Sequence, residues 1–262
     1  MAATRETARV IVVLPAYNEA AVIARVLHEV HDELDRAGFL DHELLVVDDG
    51  SHDNTAAIVE SVMGELPVVL ERHDGNQGLG RALRTGLVAA AKRVGANDVV
   101  LTTESDGTQP ASVLPELVRA ILSGYDFAVA TPLADEEGFR GVPLHRRVLS
   151  RGANVLYSGL FSIHTLRDYT NLVRGMRGGT LQRAIDRYGS EGLITRRGFE
   201  AVPELILKLR PLMPKIFEIP LVIDHSLMQR ESQLPVARTI RASLLLIGTE
   251  MLARAQRRIG DL

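Results

Sequence analysis

Residues 10–19 read VIVVLPAYNE, a short apolar run that ends abruptly in polar side chains. The run has the length of a β-strand, is too short for the apolar core of a signal peptide, and is soon followed by Glu19. The same arrangement recurs at 44–51, where LLVV leads into Asp48-Asp49-Gly50-Ser51, and at 99–106, where VVLTT leads into Glu104-Ser105-Asp106. The fold is therefore predicted from this recurring pattern, in which a β-strand is followed by a cluster of polar residues.

Amphipathic stretches separate these apolar runs. Apolar residues recur at spacings of three and four over 19–37, 53–64, 79–94 and 110–123, which predicts helices. Strands are predicted at Arg9–Leu14, Glu43–Val47, Val68–Leu70, Asp98–Thr102, Asp126–Ala130 and Phe217–Ile223. Strands that alternate with helices predict an α/β fold with a mostly parallel sheet covered on both faces. The second half is predicted to be more helical, at 144–160, 178–189, 200–209 and 235–258.

The composition is that of an ordinary soluble globular protein, with 46% hydrophobic and 24% charged residues in 262. Cysteine is absent, which excludes disulfides and thiolate metal sites and suits a cytoplasmic location. No apolar stretch approaches the roughly 20 residues that cross a bilayer. We find no internal repeat, so we expect one domain over 1–262.

The charge is divided unevenly along the chain. Residues 1–130 hold 20 acidic and 10 basic side chains, whereas residues 131–262 hold 13 acidic and 20 basic ones. An acidic half followed by a basic half predicts different ligands for the two, such as a metal for the first and a phosphate or a membrane surface for the second. A scattered basic surface is the alternative. The arginine-containing segment 235–258 is interpreted as a core helix, a dimer helix or a helix lying on anionic lipid, with core or dimer packing preferred.

Ligands of parallel α/β sheets bind at the carboxyl ends of the strands, where all these polar clusters fall. Tyr17 could stack on a base or ribose, and Asp49 could accept hydrogen bonds from a base. The glycines of Gly75-Asn76-Gln77-Gly78-Leu79-Gly80 allow a close backbone approach, and the helix that follows favours an anionic phosphate. Glu104 and Asp106 would point to the same side of an extended chain, so a divalent cation between them is predicted.

Each cluster also has a purely structural interpretation. Aspartate and glycine favour turns, and a tyrosine after a strand is often a core residue. Taken singly, these interpretations are preferred, but four clusters at one edge of a sheet favour a binding site.

The motifs together resemble glycosyltransferase family 2 and, within it, the dolichyl-phosphate mannosyltransferase-like branch. The segments that carry the resemblance are PAYNE at 15–19, VVDDGS at 46–51, GNQGLGRAL at 75–83, ESDGTQP at 104–110, RRVLSRGAN at 146–154 and DYTNLVRG at 168–175. The resemblance covers roughly residues 9–235.

The resemblance implies a glycosyltransferase-A fold, a GDP- or UDP-linked sugar donor, and Mg²⁺ or Mn²⁺. It implies a nucleotide-sugar-binding half at about 9–130, an acceptor-side half at about 131–235 and a C-terminal helix at 236–262. The implied donor site comprises Pro15, Ala16, Tyr17, Glu19, Asp49, Gly78, Arg81, Ser105 and Asp106, with Glu104 and Asp106 as metal ligands.

The acceptor implied by the resemblance is a polyprenyl phosphate, attacked in an inverting displacement. The residues implied to bind phosphate or acceptor are Arg146, Arg147, Ser150 and Arg230. Asp106 and Asp168 are the candidate catalytic residues, and Asp168 would serve as a base if the acceptor were a hydroxyl. A helix N-cap is the structural alternative for Asp168. We expect no nucleic-acid partner and no transmembrane segment, and we leave peripheral membrane contact and a homodimer open.

Two residues and one segment depart from the branch's pattern. Glu104 replaces the usual first aspartate, Thr108 stands where glutamine is common, and Arg230-Glu231-Ser232-Gln233 lacks the lysine of a Gly-x-Ser-Lys segment. These departures keep two alternatives open: a soluble small-molecule or natural-product acceptor, and a non-catalytic protein that binds nucleotide sugars. A dinucleotide-dependent oxidoreductase is set aside because Gly-x-Gly-x-x-Gly does not follow the first strand.

Overall fold

The computed structural model describes residues 8–133, 138–161, 163, 166–224, 241–249 and 251. The strands are β1 Val10–Ala16, β2 His42–Asp48, β3 Val68–Arg72, β4 Val99–Thr102, β5 Phe127–Thr131, β6 Phe139–Arg140, β7 Arg174–Arg177, β8 Ile216–Pro220 and β9 Ile223–Asp224. The helices are α1 Ile23–Arg36, α2 Thr55–Val62, α3 Leu79–Ala91, α4 Leu114–Leu122, α5 Leu144–Phe161, α6 Gly178–Tyr188, α7 Ser190–Leu193 and α8 Ala201–Leu209, and residues 241–249 are also helical.

Within the described residues, seven strands form one sheet in the order β3-β2-β1-β4-β7-β5-β8. Strands β3, β2, β1 and β4 are parallel neighbours, and β5 is parallel to β8. Apolar side chains on both faces of this sheet pack against helices, which explains the continuous apolar runs at 10–14 in β1 and 44–47 in β2. The predicted α/β architecture is therefore confirmed.

Strand β7 was not predicted from the sequence. It lies between β4 and β5 and runs antiparallel to both, so the sheet is mixed. Its sequence, RGMR, has two arginines and a glycine in four residues, which hides the apolar pattern of a central strand. The predicted strand 217–223 is also divided, because its end belongs to β9, which pairs with β6 in a separate two-stranded sheet.

Helix α3 lies unusually close to the sheet at Gly86. A Cβ atom there would be 2.3 Å from Cγ1 of Val13 and 3.2 Å from Cγ2 of Val47. The glycine therefore sets how closely α3 packs on β1 and β2.

The predicted helix 235–258 is described only in part, and the remainder lies outside the described residues. Leu246 and Ile247 are buried in the same core as Tyr157 and Phe161 of α5. In the part of the chain that the structure describes, each helix is too short or too polar to cross a membrane.

Candidate active site

The loops that follow β1 and β2 are joined by reciprocal hydrogen bonds. The backbone N–H of Asn18 donates to Oγ of Ser51 (2.9 Å), and the N–H of His52 donates to Oδ1 of Asn18 (2.8 Å). Asn18 adopts a positive φ of 55°, which asparagine tolerates better than most residues. Tyr17 lies half-buried at this edge with its ring edge-on to His52, 6.2 Å between centroids. The tyrosine is therefore at the rim of the sheet and not in the core.

The loop after β4 is attached to the same edge. Oγ of Ser105 donates to the carbonyl oxygen of Pro15 (2.7 Å), and the N–H of Thr103 donates to the carbonyl of Val13 (3.1 Å). Ser105 is buried, so its hydroxyl is a structural tie between two loops and not an open donor for a ligand. Pro15 and Ala16 are buried within β1, and the backbone N–H of the buried Glu19 donates to Oγ1 of Thr55 (2.7 Å).

Glu104 and Asp106 lie together at the end of β4. Oδ1 of Asp106 accepts hydrogen bonds from the N–H and the hydroxyl of Thr108, at 2.9 and 2.8 Å, and the same hydroxyl is 3.5 Å from Oε2 of Glu104. Burial, followed by the charge of Asp106, raises the pKa of Glu104 to about 8. Two carboxylates held this close resist full ionisation unless a positive charge joins them.

This pair suits a divalent cation that is also bound by a ligand. Among the described residues, the structure has no group of three or more His, Cys, Asp or Glu side chains placed to hold a metal. Mg²⁺ in enzymes is commonly held by one or two carboxylates, with substrate phosphates and water completing its shell. The two carboxylates fit that pattern.

Gln109 is a polar residue of this site that the sequence did not reveal. Its Nε2 donates to Oδ1 of Asn171 (3.2 Å), whose own Nδ2 donates to the carbonyl of Ala130 (2.6 Å) and so fixes the orientation of both amides. Its side chain also hydrogen-bonds Glu104. Oε1 of Gln109 is buried and has no hydrogen-bond partner among the described residues. A buried carbonyl oxygen beside an acidic pair is a further acceptor for a cation or a hydroxyl group.

The sequence predicts that Asp49 contacts a nucleotide base, whereas in the structure its carboxylate binds other residues of the chain. Its carboxylate accepts hydrogen bonds from Nδ1 of His73 (2.7 Å), the N–H of Gln77 (2.9 Å) and the N–H of Gly78 (2.7 Å). Asp49 thus holds the glycine-containing loop against the end of β2. Contact with a nucleotide base stays a prediction for this residue.

The start of α3 is in contact with another part of the chain in this structure, and phosphate binding there stays a prediction. The N–H of Gly80 donates to the carbonyl of Arg197 (2.9 Å), and Nε of Arg197 donates to the carbonyl of Gln77 (3.2 Å). A Cβ at Gly78 would lie 2.4 Å from the Arg197 carbonyl oxygen. The close backbone approach that these glycines permit is therefore made by residues 196–197. Arg81, in the first turn of α3, is 3.5 Å from the carboxylate of Glu191.

Asp168 is not an accessible base. It is 1% exposed, and its two oxygens accept five hydrogen bonds. The donors are the N–H and hydroxyl of Thr170, the N–H of Asn171, Nδ2 of Asn154 and the hydroxyl of Thr131. Asp168 instead organises the turn that leads into β7, and the alternative of a helix N-cap is wrong because a strand, and not a helix, follows this turn.

The candidate acceptor residues lie on α5. The guanidinium of Arg147 is 5.8 Å from the ring centroid of Phe139, and its Nε is buried with no hydrogen-bond partner among the described residues. Ser150 follows on the same helix and is half-buried. Arg146 is in α5 as well, and Arg230 lies outside the described residues. The structure therefore brings the donor-side candidates to one edge of the sheet and places Arg146 and Arg147 on a separate helix.

The fold and this edge define an α/β protein whose binding site is built from loops at the carboxyl ends of parallel strands. The sequence profile of Glycosyl transferase family 2 matches residues 11–186. The chain belongs to glycosyltransferase family 2, which confirms the resemblance seen in the motifs.

Two relatives are named for related activities. The dolichol-phosphate mannosyltransferase of Pyrococcus furiosus is 26% identical over 213 residues, which are 81% of this chain and 55% of that protein. The polyprenol monophosphomannose synthase of Mycolicibacterium smegmatis is 28% identical over 194 residues, 72% of this chain and 70% of that protein. The matched region is thus little more than half of the Pyrococcus protein.

Among solved structures, the chain resembles the glucosyl-3-phosphoglycerate synthase of Mycobacterium tuberculosis in complex with Mn²⁺, UDP and glucosyl-3-phosphoglycerate. The TM-score is 0.65 at 22% identity, over 92% of this chain and 80% of that one. This similarity confirms the glycosyltransferase-A fold.

Proposed function

We propose that this chain transfers a sugar from a nucleotide-diphosphate sugar to a polyprenyl phosphate, in an inverting reaction that requires a divalent cation. The observation that carries the proposal is the pair Glu104 and Asp106, which lies beside the Tyr17 loop and whose mutual repulsion a cation would relieve. Membership of family 2 and the names of the Pyrococcus and Mycolicibacterium relatives support the class of donor and acceptor.

The donor's base would lie along the edge formed by Pro15, Ala16, Tyr17 and Glu19, with the ring of Tyr17 as a stacking surface. Asp49 would support this edge by holding the Gln77–Gly78 loop in place. Glu104 and Asp106, with Oε1 of Gln109 as a third oxygen, would hold Mg²⁺ or Mn²⁺. The cation, when bound, neutralises the diphosphate that leaves with the nucleoside.

The proposed transfer step needs an acceptor oxygen that attacks the sugar, and residues that bind the acceptor phosphate. An oxygen of the acceptor phosphate forms a bond to the anomeric carbon from the face opposite the donor oxygen, and the bond between that carbon and the diphosphate oxygen breaks. The acceptor is already anionic, so no proton has to be removed. The saturated carboxylate of Asp168 agrees with such a base-free reaction. Arg147 and Ser150, with Arg146 on the same helix, would bind the acceptor phosphate.

A soluble acceptor is the second candidate. The lysine missing from the Arg230–Gln233 segment favours it, because that segment would otherwise supply a phosphate contact. In either case we assign the donor half to about 9–130, the acceptor half to about 131–235 and the C-terminal helix to 236–262 of a single domain.

Calorimetric titration with GDP and UDP, in the presence and absence of Mn²⁺, tests the donor site. We expect Mn²⁺-dependent binding that Asp106→Asn weakens by at least about tenfold, since a direct charge–metal contact is lost. Asp186→Asn, at an exposed position on α6, is the matched control and should bind normally. Absence of binding by either nucleotide under all conditions would sink the proposal.

A mass-spectrometric transfer assay then separates the acceptors. Purified protein is incubated with sugar nucleotides and either a polyprenyl phosphate or a panel of soluble phosphate and hydroxyl acceptors. A polyprenyl-phosphate sugar product supports the first candidate, and a soluble product alone supports the second. Nucleotide binding without any product, restored to transfer by Glu104→Asp, would identify a non-catalytic relative.

A further inference from the structure

A cavity of about 270 Å³ lies between α3, the edge strand β3 and α7, and we call it the α3 cavity. Helix α3 and its C-cap line the cavity with Arg84, Val88 and Lys92, which follow one another at intervals of four residues and so share one side of the helix. Among the described residues that line it, none is assigned above to the donor or to the acceptor.

Two side chains in series separate the α3 cavity from the glycine-containing loop. Thr85 lines the cavity, and its hydroxyl oxygen is 3.0 Å from Nε2 of His73. Nδ1 of His73 is 2.7 Å from Oδ1 of Asp49, whose carboxylate holds the N–H groups of Gln77 and Gly78. The α3 cavity is therefore a different site from the proposed donor edge.

Arg84 brings a fixed positive charge to the α3 cavity. Its side chain is 10% exposed, and Nη1 donates to the carbonyl oxygens of Glu191 (3.0 Å) and Ile194 (3.3 Å). Its Nη2 is 2.8 Å from Oε2 of the Glu191 carboxylate. Because two backbone carbonyls already hold the guanidinium, little conformational freedom is lost when an anion binds to it.

The carboxylate of Glu191 lies where an anionic ligand would lie, between two arginines. The same Oε2 is 3.5 Å from Nη1 of Arg81, and the Glu191 side chain is 83% exposed. An ion pair with so exposed a carboxylate contributes little to stability, so a stronger anion can replace it. A phosphate group has more charge and more acceptor oxygens than a carboxylate, and it pairs with arginine through two parallel hydrogen bonds.

The acidic side chain on the opposite wall of the cavity is already neutralised. Glu71 belongs to a group of two glutamates and two arginines that are joined by ion pairs of 2.8, 3.5 and 3.6 Å. The members of the group are Arg9, Glu43, Arg93 and Glu71. Glu71 therefore does not cancel the positive charge contributed by α3.

The remaining charges leave an excess of two positive charges at the α3 cavity. Arg81, Arg84 and Lys92 are basic, and Glu191 is acidic, so three charges of one sign face one of the other. A phosphate monoester carries close to two negative charges at neutral pH. The charge of the cavity thus complements that of a phosphate dianion.

We propose that the α3 cavity binds a small soluble phosphate monoester, whose phosphate replaces the carboxylate of Glu191. Arg84 would hold the phosphate, Arg81 and Lys92 would add charge at the rim, and Val88 would contact the organic group. The volume is just below the usual range for ligand pockets, which limits the organic group to a few atoms. The inference goes beyond the proposed function, because it uses neither the donor edge nor the acceptor residues.

Methyl NMR of the full chain, labelled at alanine and valine, tests the site directly. We expect inorganic phosphate to shift the methyl resonances of Val88 and Ala89 in a saturable manner, because both residues line the α3 cavity. Val148, next to Arg147 on α5, reports separately on the proposed acceptor site. Potassium chloride at the same ionic strength should leave Val88 and Ala89 unshifted.

Two exposed residues are changed to test the exchange with Glu191. Glu191→Gln should strengthen phosphate binding by about threefold or more, since it removes the competing negative charge. Lys92→Gln should weaken it by about threefold or more, since it removes an attractive charge. Asp186→Asn and Lys215→Gln, at exposed positions elsewhere, are the matched controls and should bind like the wild type. Thermal unfolding verifies that each variant is folded.

The charge on the ligand is tested with two phosphate esters. Methyl phosphate is a monoester and should shift the same resonances as inorganic phosphate. Dimethyl phosphate is a diester with a single charge, like the phosphate of many lipid headgroups, and should bind at least about threefold more weakly. Equal affinity for the two esters would overturn the assignment to a monoester.

Three further results would overturn the inference. They are phosphate shifts at Val148 without shifts at Val88 and Ala89, equal phosphate affinity in Lys92→Gln and Lys215→Gln, and unchanged affinity in Glu191→Gln, as expected of a purely structural ion pair. Phosphate binding in the α3 cavity of a protein that binds no nucleotide would contradict the proposed function alone. Sugar transfer by a protein whose Val88 and Ala89 ignore phosphate would contradict the α3 cavity alone.

Discussion

The hydroxyl of Ser105 donates a 2.7 Å hydrogen bond to the carbonyl oxygen of Pro15, 90 residues earlier in the chain. This bond joins the loop that carries the acidic pair to the loop that carries Tyr17. It forms because β1 and β4 are parallel neighbours whose carboxyl ends lie side by side. The hydrogen bond therefore holds the Tyr17 loop and the loop with the acidic pair, which are distant in the sequence, at one site.

Ser105→Ala should therefore loosen the site without unfolding the protein. Loss of one buried hydrogen bond costs about 1 kcal/mol, so we expect nucleotide affinity to fall by about fivefold in calorimetry. Ser61→Ala is the control, because the hydroxyl of Ser61, at an exposed position on α2, donates a similar 2.7 Å hydrogen bond to the carbonyl of Ile58. Equal affinities for the two variants would show that the Ser105 bond does not organise the site.

Thr108 should control how well the acidic pair receives a cation. Its hydroxyl donates to Oδ1 of Asp106 (2.8 Å) and lies 3.5 Å from Oε2 of Glu104, so Thr108→Val removes both contacts while keeping the shape of the side chain. We expect Mn²⁺ affinity, measured by electron paramagnetic resonance, to fall by about tenfold, as for the loss of one hydrogen bond to a charged group. Thr108→Ser retains the hydroxyl and should stay close to wild type. A matching loss in both variants would point to packing instead.

Asp168→Asn should affect stability more than chemistry. The buried carboxylate accepts five hydrogen bonds, so replacing it should lower the free energy of unfolding by about 2 kcal/mol or more. Denaturant titration measures this loss, and transfer assays at a temperature where the variant is folded should give a near-normal kcat. A folded variant with normal stability and abolished turnover would restore Asp168 as a catalytic residue.

Replacing two helical glycines by alanine should have different effects on the free energy of unfolding. Gly86→Ala puts a methyl group 2.3 Å from Val13 and should destabilise the protein by about 1–3 kcal/mol. Gly152 of α5 has nothing within 4 Å of the added carbon, so Gly152→Ala should be neutral or should stabilise by up to about 1 kcal/mol. Chemical denaturation checks both, and equal effects would contradict the close packing of α3.

The buried ring of His42 should make the stability of the protein depend on pH. Burial lowers the pKa of His42 below its usual 6.5, while its ring contacts His31 (2.8 Å) and the carbonyl of Phe39 (2.7 Å). The unfolded chain therefore takes up the proton first as the pH falls. The contribution of neutral His42 is complete above pH 6.5 and is lost as the pH falls through that value towards the lower folded pKa.

The His42 effect is isolated by comparing wild type with His42→Gln in denaturant titrations at several pH values. We expect the unfolding free energy of the wild type to decrease relative to that of His42→Gln as the pH falls below 6.5. Parallel profiles would show that His42 does not titrate differently in the two states.

The sequence predicted the strands that are continuously apolar and the helices between them. β1, β2 and β4 are recognisable because both of their faces are buried, so each contains an uninterrupted apolar run. β7 was missed because a fully buried arginine, Arg174, lies in it. Burial lowers the pKa of Arg174 to about 9, opposed by the charge of Asp168. Its guanidinium donates to the carbonyls of Val202 and Tyr169, partners that only the fold supplies.

By itself, the sequence determined the α/β class, the family and the positions of the acidic pair, because these depend on local periodicity and on motifs a few residues long. The tertiary structure decided which side chains are free to act. Asp49 and Asp168 are both conspicuous in the sequence, yet hydrogen bonds within the protein occupy their carboxylates. Those to Asp49 come from His73, Gln77 and Gly78, and those to Asp168 come from Thr131 and Asn154 as well as from its own turn. Gln109 is inconspicuous, yet packing leaves its carbonyl oxygen buried and unpaired among the described residues. The physical reason is that hydrogen-bonding capacity is consumed by neighbours in space, and those neighbours are distant along the chain.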